Sequence, residues 1–189
     1  GVLSIELPED DPPASYIHDP DHPVPTIGGA IAGFLTLAPP LEGSSAQASI
    51  PLRARFRSVI ADGGAHQKEK PSVFGSNAPY PLLTDRDDVL VFQTPLLEQD
   101  VEVTGSITVN LWVSSSAIDT DYTAKLVDVY ARSNDYPDGY HLNLVDSIQR
   151  ARYRNGYNES ELMTPNAIYE ISIALPPISN LFKVGHRIR

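Results

Sequence analysis

Cysteine is absent from this chain of 189 residues. Without a thiol there is no disulfide, no thiolate nucleophile and no zinc site with cysteine ligands. Long apolar runs are missing too, since none approaches the ~20 residues that a membrane span needs, so no membrane partner is expected. The residues given also lack the pattern of a signal peptide, so none is expected. We expect a soluble protein, with the cytoplasm favoured over secretion.

Basic residues are few. Lysine and arginine number 14 against 24 aspartates and glutamates, which gives a formal net charge of −10. A surface this acidic repels phosphate backbones and anionic lipids, so nucleic acid is not expected as a partner.

Sustained helical periodicity is the third absence, and 17 prolines and 12 glycines divide the chain into short segments. This pattern favours an all-β fold. With 41% hydrophobic residues, the chain is large enough for one domain with a sizeable core. We divide that domain into an extended connector with a first strand (residues 1–29), an irregular insertion (30–85) and the main sandwich strands (86–189).

The clearest strand signal runs from Val101 to Val113, where aliphatic and polar residues alternate with a period of two. One side of this strand is predicted to face a core. Gly105 predicts a bulge or a close backbone approach. Trp112 breaks the alternation, and we predict that it is packed.

Further strands follow this one. Residues 121–130 predict a strand that pairs with the first as a hairpin, because only a short connection separates the two. Other strands are predicted at 1–7, at 88–94, from 142 to 153, at 169–175 before Pro176 and Pro177, and towards Ile188. Seven or eight short strands predict a β-sandwich.

Five segments in order resemble one known family. They are D-P-D-H-P-V-P-T-I-G-G (19–29), R-D-D-V-L-V-F-Q-T (86–94), E-V-T-G-S-I-T-V-N-L-W-V-S-S-S-A-I-D-T-D-Y-T-A-K-L-V-D-V (102–129), N-L-V-D-S-I-Q-R-A-R-Y-R (143–154) and S-N-L-F-K-V-G-H-R-I-R (179–189). Together they resemble the C-terminal domain of the cocaine esterase and X-Pro dipeptidyl-peptidase family of α/β serine hydrolases, with α-amino-acid ester hydrolases and glutaryl cephalosporin acylases as relatives.

The resemblance implies a jelly-roll β-sandwich, similar to galactose-binding domains and truncated at its C-terminal end. It implies an accessory domain of an enzyme that hydrolyses esters or X-Pro peptides. The expected partner is an N-terminal α/β-hydrolase catalytic domain of the same polypeptide, whose cleft this domain would help to shape. No cofactor is expected. The sequence leaves open whether the protein forms a homo-oligomer.

Catalytic residues are not expected in this chain. An α/β serine hydrolase needs a G-x-S-x-G elbow with a histidine and an acid. G-S-S-A-Q at Gly43 and F-G-S-N-A at Phe74 both fail that pattern. The resemblance places the nucleophile, base and acid of the family N-terminal to this domain.

Four charged residues, one in the connection before the second central strand and three on that strand, form the most prominent local cluster: Asp119, Asp121, Lys125 and Asp128. Paired carboxylates with a lysine can do acid–base work. They can equally form an ionic network that fixes strand register, since interior charges persist only when they are paired. We favour the structural interpretation.

Two groups near the N-terminus have competing interpretations. His18, Asp19, Asp21 and His22 resemble a metal site on paper, but prolines stiffen this segment, so we favour a solvated connector and no metal. Ile31 and Phe34 follow a Gly-Gly pair that allows close backbone approach. These two side chains either line the substrate pocket of the hydrolase or only pack in the contact between domains.

Two rival functions stay open. A carbohydrate- or ligand-binding jelly-roll module would present an exposed aromatic platform. An oligomerisation domain would present a large apolar patch outside the hydrolase contact.

Overall fold

The computed structural model describes residues 1–6, 12–29 and 63–189, together with the backbone of two short strands, 35–37 and 56–58. The strands are β1 (Leu35–Leu37), β2 (Phe56–Ser58), β3 (Val101–Val113), β4 (Asp121–Tyr130), β5 (Tyr140–Arg150), β6 (Tyr169–Phe182) and β7 (Arg187–Ile188). Two 3-10 turns, Leu83–Asp85 and Ala151–Tyr153, complete the elements. The all-β prediction is confirmed.

The strands form three antiparallel groups. β1 pairs with β2, β3 pairs with β6, and β4 lies between β5 and β7. The predicted hairpin of β3 and β4 is therefore wrong. Residues 114–120 instead carry the chain from one sheet to the other, which allows the apolar faces of the two strands to meet across a core.

That core lies between the β3–β6 pair and the β4–β5 sheet. Ile171 and Ile173 of β6 are completely or almost completely buried. Residues from both sheets pack against this strand: Ile107, Val109, Leu111, Val113, Tyr122, Ala124, Leu126 and Val145. Two sheets packed face to face confirm the sandwich. Each aliphatic side chain fully removed from water contributes about 1.5–3 kcal/mol.

Trp112 contradicts the sequence prediction, because its side chain is 75% exposed. Along β3 every odd-numbered position is partly buried and every even-numbered position is exposed. Residue 112 belongs to the outer face, and the period of two decides the orientation of a strand side chain whatever its hydrophobicity. The prediction that Trp112 is packed is wrong.

The predicted irregularity at Gly105 is confirmed as a bulge. Gly105 has a φ of 121°, and the register shifts between Gly105 and Ile107. The partners of these two residues are Ile178 and Leu175, so residues 176 and 177 fall outside the ladder. Pro176 and Pro177 therefore interrupt no ladder pair, and β6 continues to Phe182 although the sequence predicted a stop.

Two predicted strands are reduced to one bridge. Residues 88–94 form no strand, and neither do the described residues 1–6. Val2 and Gln93 instead make an isolated parallel bridge, in which the Leu3 amide donates to the Gln93 carbonyl at 2.9 Å. In the part of the chain described above, no helix has the length and apolar character to cross a membrane.

Candidate functional site

The four charged residues singled out in the sequence do not contact one another as a cluster. Each has its own partner among the described residues: Asp119 with Arg152 at 2.6 Å, Asp121 with Arg150 at 2.8 Å, Lys125 with Asp146 at 2.8 Å, and Asp128 with His186 at 2.9 Å. A site for acid–base chemistry needs such groups to converge on one substrate position. The four pairs do not converge in this way.

Two of the pairs lie directly across the β4–β5 ladder. Asp121 is opposite Arg150, and Lys125 is opposite Asp146. Opposite charges in register stabilise a strand pair, while a slip of one residue would separate them. The hydrogen bonds from the Arg150 guanidinium lower the pKa of Asp121, which keeps this carboxylate ionised. Their role in fixing the register stays a prediction.

Asp128 and His186 form a nearly buried carboxylate–imidazole pair. The Tyr130 ring lies against the imidazole, with the ring centroids 4.1 Å apart. Such a pair orients the base in a serine hydrolase. Among the described residues, however, no serine hydroxyl hydrogen-bonds to any histidine. The pair joins the β4 strand to the segment before β7.

His66 and His141 are buried, and both are held as neutral acceptors. The backbone amide of His141 donates to Nδ1 of His66 at 3.0 Å, and Arg189 approaches Nδ1 of His141 at 3.1 Å. Burial, with the Arg189 charge, lowers the pKa of His141 to about 4. Burial also lowers the pKa of His66. These imidazoles serve as internal hydrogen-bond acceptors.

Arg86 connects three segments of the chain. Its guanidinium makes a bidentate pair with Asp88 at 2.7 and 2.8 Å, donates to the His22 carbonyl at 2.6 Å and reaches Glu69 at 3.4 Å. Glu69 in turn accepts a hydrogen bond from the Asn77 amide. The hydrogen bonds to Asp88 raise the pKa of Arg86, so its guanidinium stays protonated. Arg86 thereby fixes the connector to the body of the domain.

The connector residues considered for a metal lie in an exposed turn. Asp19 and His22 contact each other at 2.9 Å, and this hydrogen bond lowers the pKa of Asp19. Within residues 1–6, 12–29 and 63–189, no group of three or more histidines and carboxylates is arranged to hold a metal ion. Ile31 and Phe34, the predicted pocket wall, lie outside the described residues.

A shallow polar groove lies beside the exposed Trp112, and the sequence analysis did not find it. Its volume is about 470 Å³, and its lining residues are Arg154, Asn155, Glu161, Tyr169, Glu170 and Ser172. Glu170 pairs directly with Trp112 across the β3–β6 ladder. The groove depends on the pairing of β3 with β6, which lie far apart in the sequence, so no local pattern indicates it.

Fold and site together define a class: an all-β sandwich in which, among the described residues, no serine hydroxyl hydrogen-bonds to a histidine. Comparison with known proteins gives the family. The chain belongs to the family of X-Pro dipeptidyl-peptidase C-terminal non-catalytic domains, whose model matches residues 39–189.

Relatives with known names support this assignment. The chain is 35% identical over 188 residues to the cocaine esterase of Rhodococcus sp. (strain MB1 Bresler), and the match covers 100% of this chain and 25% of that protein. The chain therefore spans about a quarter of that relative's length.

Two solved structures are similar to part of the chain. An aminopeptidase from a marine sediment Thaumarchaeota archaeon has a TM-score of 0.54 and 28% identity, over 66% of this chain and 23% of its own. An α-amino acid ester hydrolase has a TM-score of 0.55 and 29% identity, over 66% of this chain and 22% of its own.

Proposed function

We propose that this chain is the C-terminal accessory domain of a hydrolase that acts on esters or X-Pro peptides, that it packs on the catalytic domain through its N-terminal connector, and that it helps to shape the catalytic cleft. The names of the similar proteins support the class of enzyme. The observation that carries the proposal is the exposed apolar surface of the connector.

The second half of the connector is fixed to the sandwich. Ile27 is completely buried against Val73 and Leu83. Gly28 and Gly29 have φ values of 74° and 86°, and a Cβ on either glycine would overlap its neighbour, the Ala65 methyl or the Asp146 carboxylate respectively. Only glycine readily adopts a positive φ and has no Cβ, so only glycine fits these two positions.

The first half of the connector is different, because residues 12–23 are all exposed. Ile17 is 90% exposed, and Tyr16 beside it is 45% exposed. Four prolines in this stretch restrict the residues before them to extended backbone. A segment that Arg86 holds at His22 and that presents apolar side chains to solvent is suited to lie between two domains. In the proposed arrangement its outer side faces the catalytic domain.

Ile17→Ser in the complete polypeptide tests this contact. Burying an isoleucine in an interface contributes about 1.5–3 kcal/mol, so we expect a lower melting midpoint of the complete protein. Ile148→Ser, at an exposed isoleucine of β5, is the matched control and should leave the midpoint unchanged. Equal midpoints for the Ile17 variant and the unmodified protein would refute docking through the connector.

The proposal places Ile31 and Phe34 at the cleft. In the sequence these two residues follow Gly28 and Gly29, where an added Cβ would meet Ala65 or Asp146. Glycines at such positions let the backbone lie close to a second surface. The wall of an acyl pocket is mostly apolar, which suits the isoleucine and phenylalanine side chains.

Phe34→Ala in the complete enzyme separates the two roles of this side chain. If Phe34 lines the pocket, the ratio of kcat/KM for bulky over small acyl substrates should fall, because lost pocket contacts act on the larger group. An equal loss of kcat/KM on all substrates, together with a lower melting midpoint, would show that Phe34 only stabilises the contact between domains.

A further inference from the structure

We propose that the outer face of the β3–β6 pair, around Trp112 and its adjoining groove, is a binding site for a neutral saccharide. This site is separate from the connector, and the inference does not depend on the proposed hydrolase role.

Trp112 has the first property that such a site needs, a large aromatic face in water. It is 75% exposed at the end of β3, next to the groove. The axial C–H groups of a pyranose ring form an apolar surface that packs on an aromatic face, and a flat indole offers the largest such area. Ile168, the residue directly before β6, is also 70% exposed.

Hydrogen-bonding groups surround the indole in a fixed arrangement. Asn110 precedes Trp112 on the same face, and Glu170 and Ser172 lie opposite these two residues on β6. Same-face neighbours lie roughly 7 Å apart along a strand, and opposite residues roughly 5 Å apart across the ladder. The four side chains therefore mark out a rectangle on the scale of a sugar ring.

These groups still have hydrogen-bonding capacity for a ligand. The Ser172 hydroxyl donates to Oδ1 of Asn110 at 2.7 Å, which leaves the Asn110 amino group as a donor and the Ser172 oxygen as an acceptor. The Glu170 carboxylate has no hydrogen bond or ion pair within the described part of the chain. An ionised carboxylate accepts from two adjacent hydroxyls, which is the pattern that a sugar presents.

Three further lining residues of the groove, Arg154, Asn155 and Glu161, are joined by hydrogen bonds and an ion pair. The Arg154 side chain is 5% exposed and pairs with the Glu161 carboxylate at 2.5 Å. Its guanidinium also lies 4.4 Å from the centre of the Tyr169 ring. Asn155 donates to the other oxygen of Glu161 at 2.8 Å. A preformed wall lowers the entropy cost of binding.

The charge of the groove selects the class of ligand. Arg154 is neutralised by Glu161, while Glu170 stays unpaired, so an anionic saccharide would be repelled. Recognition of an organic cation characteristically uses several aromatic faces in a cage. The Tyr169 ring of the groove is already in contact with Arg154. Trp112, which lies opposite the lining residue Glu170 on the ladder, therefore offers one aromatic face beside the groove. A neutral sugar needs one such face together with hydroxyl partners.

Isothermal titration calorimetry on the complete polypeptide tests the site. The probes are neutral hexasaccharides of β-1,4-glucose, β-1,4-xylose and β-1,4-N-acetylglucosamine, with choline and oligogalacturonate as charged probes. We expect saturable binding of at least one neutral probe. Binding of choline or oligogalacturonate alone, or of no probe, would overturn the proposal.

Variants locate the binding. Trp112→Ala should weaken the affinity for the neutral probe about tenfold, which corresponds to ~1.4 kcal/mol, and Glu170→Gln should weaken it severalfold. Tyr136→Ala, at an exposed aromatic residue of the β4–β5 connection, is the matched control and should leave the affinity unchanged. If Trp112→Ala lowers the melting midpoint but not the affinity, Trp112 is a contact between domains and the saccharide site is refuted.

Discussion

At the scale of single residues, several charged and titratable side chains are paired with other groups of the domain. Asp121 and Lys125 each face an opposite charge across the β4–β5 ladder. The sequence placed them on one strand face, but it did not reveal their partners, because the partners belong to β5 and register is set by pairing. His141 is the clearest case of a group whose environment, and not its sequence, decides its chemistry.

Acid should destabilise the protein through His141. Its pKa falls from 6.5 to about 4 on folding, because burial and Arg189 disfavour the imidazolium. The unfolded chain therefore binds a proton that the folded chain does not. The free energy of unfolding is at its full value above pH 6.5 and falls by about 2–3 kcal/mol as the pH drops from 6.5 towards 4. The lowered pKa of His66 acts in the same direction.

Urea unfolding between pH 7.5 and 4.5 measures this loss. His141→Gln keeps an acceptor for Arg189 but removes the titration, so the variant should show a flatter dependence of stability on pH. Equal slopes for the variant and the unmodified protein would show that His141 is not the group responsible.

At the scale of secondary-structure elements, the local residue pattern predicted where strands begin and end. It did not predict which strands pair with each other. The alternation of residues predicted the bounds of β3 and β4, and Gly105 predicted the bulge. The hairpin prediction failed because sequence proximity does not distinguish a turn within one sheet from a crossing between two sheets. Pro176 and Pro177 misled in the same way, because their tolerance depends on the register shift between β3 and β6, which leaves both prolines outside the ladder.

Val109→Ala tests the core side of β3. Val109 lies opposite Ile173, which is almost completely buried. Lost burial and a residual cavity should lower the free energy of unfolding by ~1–3 kcal/mol. Thr108→Val on the exposed face is the matched control and should change it by less than about 0.5 kcal/mol. A Val109 variant as stable as this control would contradict the sandwich core as described.

At the scale of the whole molecule, the family was easier to predict from the sequence than the exposed surface was. Motifs along most of the chain pointed to a non-catalytic C-terminal domain, and the family match over residues 39–189 confirms it. The exposed side of the domain was harder to predict, since Trp112 was expected inside. Which face of a strand meets solvent depends on which elements cover it, and the pattern of one strand does not contain that information.

Hydrolase activity of the purified 189-residue chain is the most direct test of the account, because a non-catalytic domain must fail to turn over the substrates of its relatives. With p-nitrophenyl esters and X-Pro anilides, the chain should give the same rates as buffer alone. Turnover that stays with the protein through purification, and that a single serine substitution abolishes, would contradict the non-catalytic assignment.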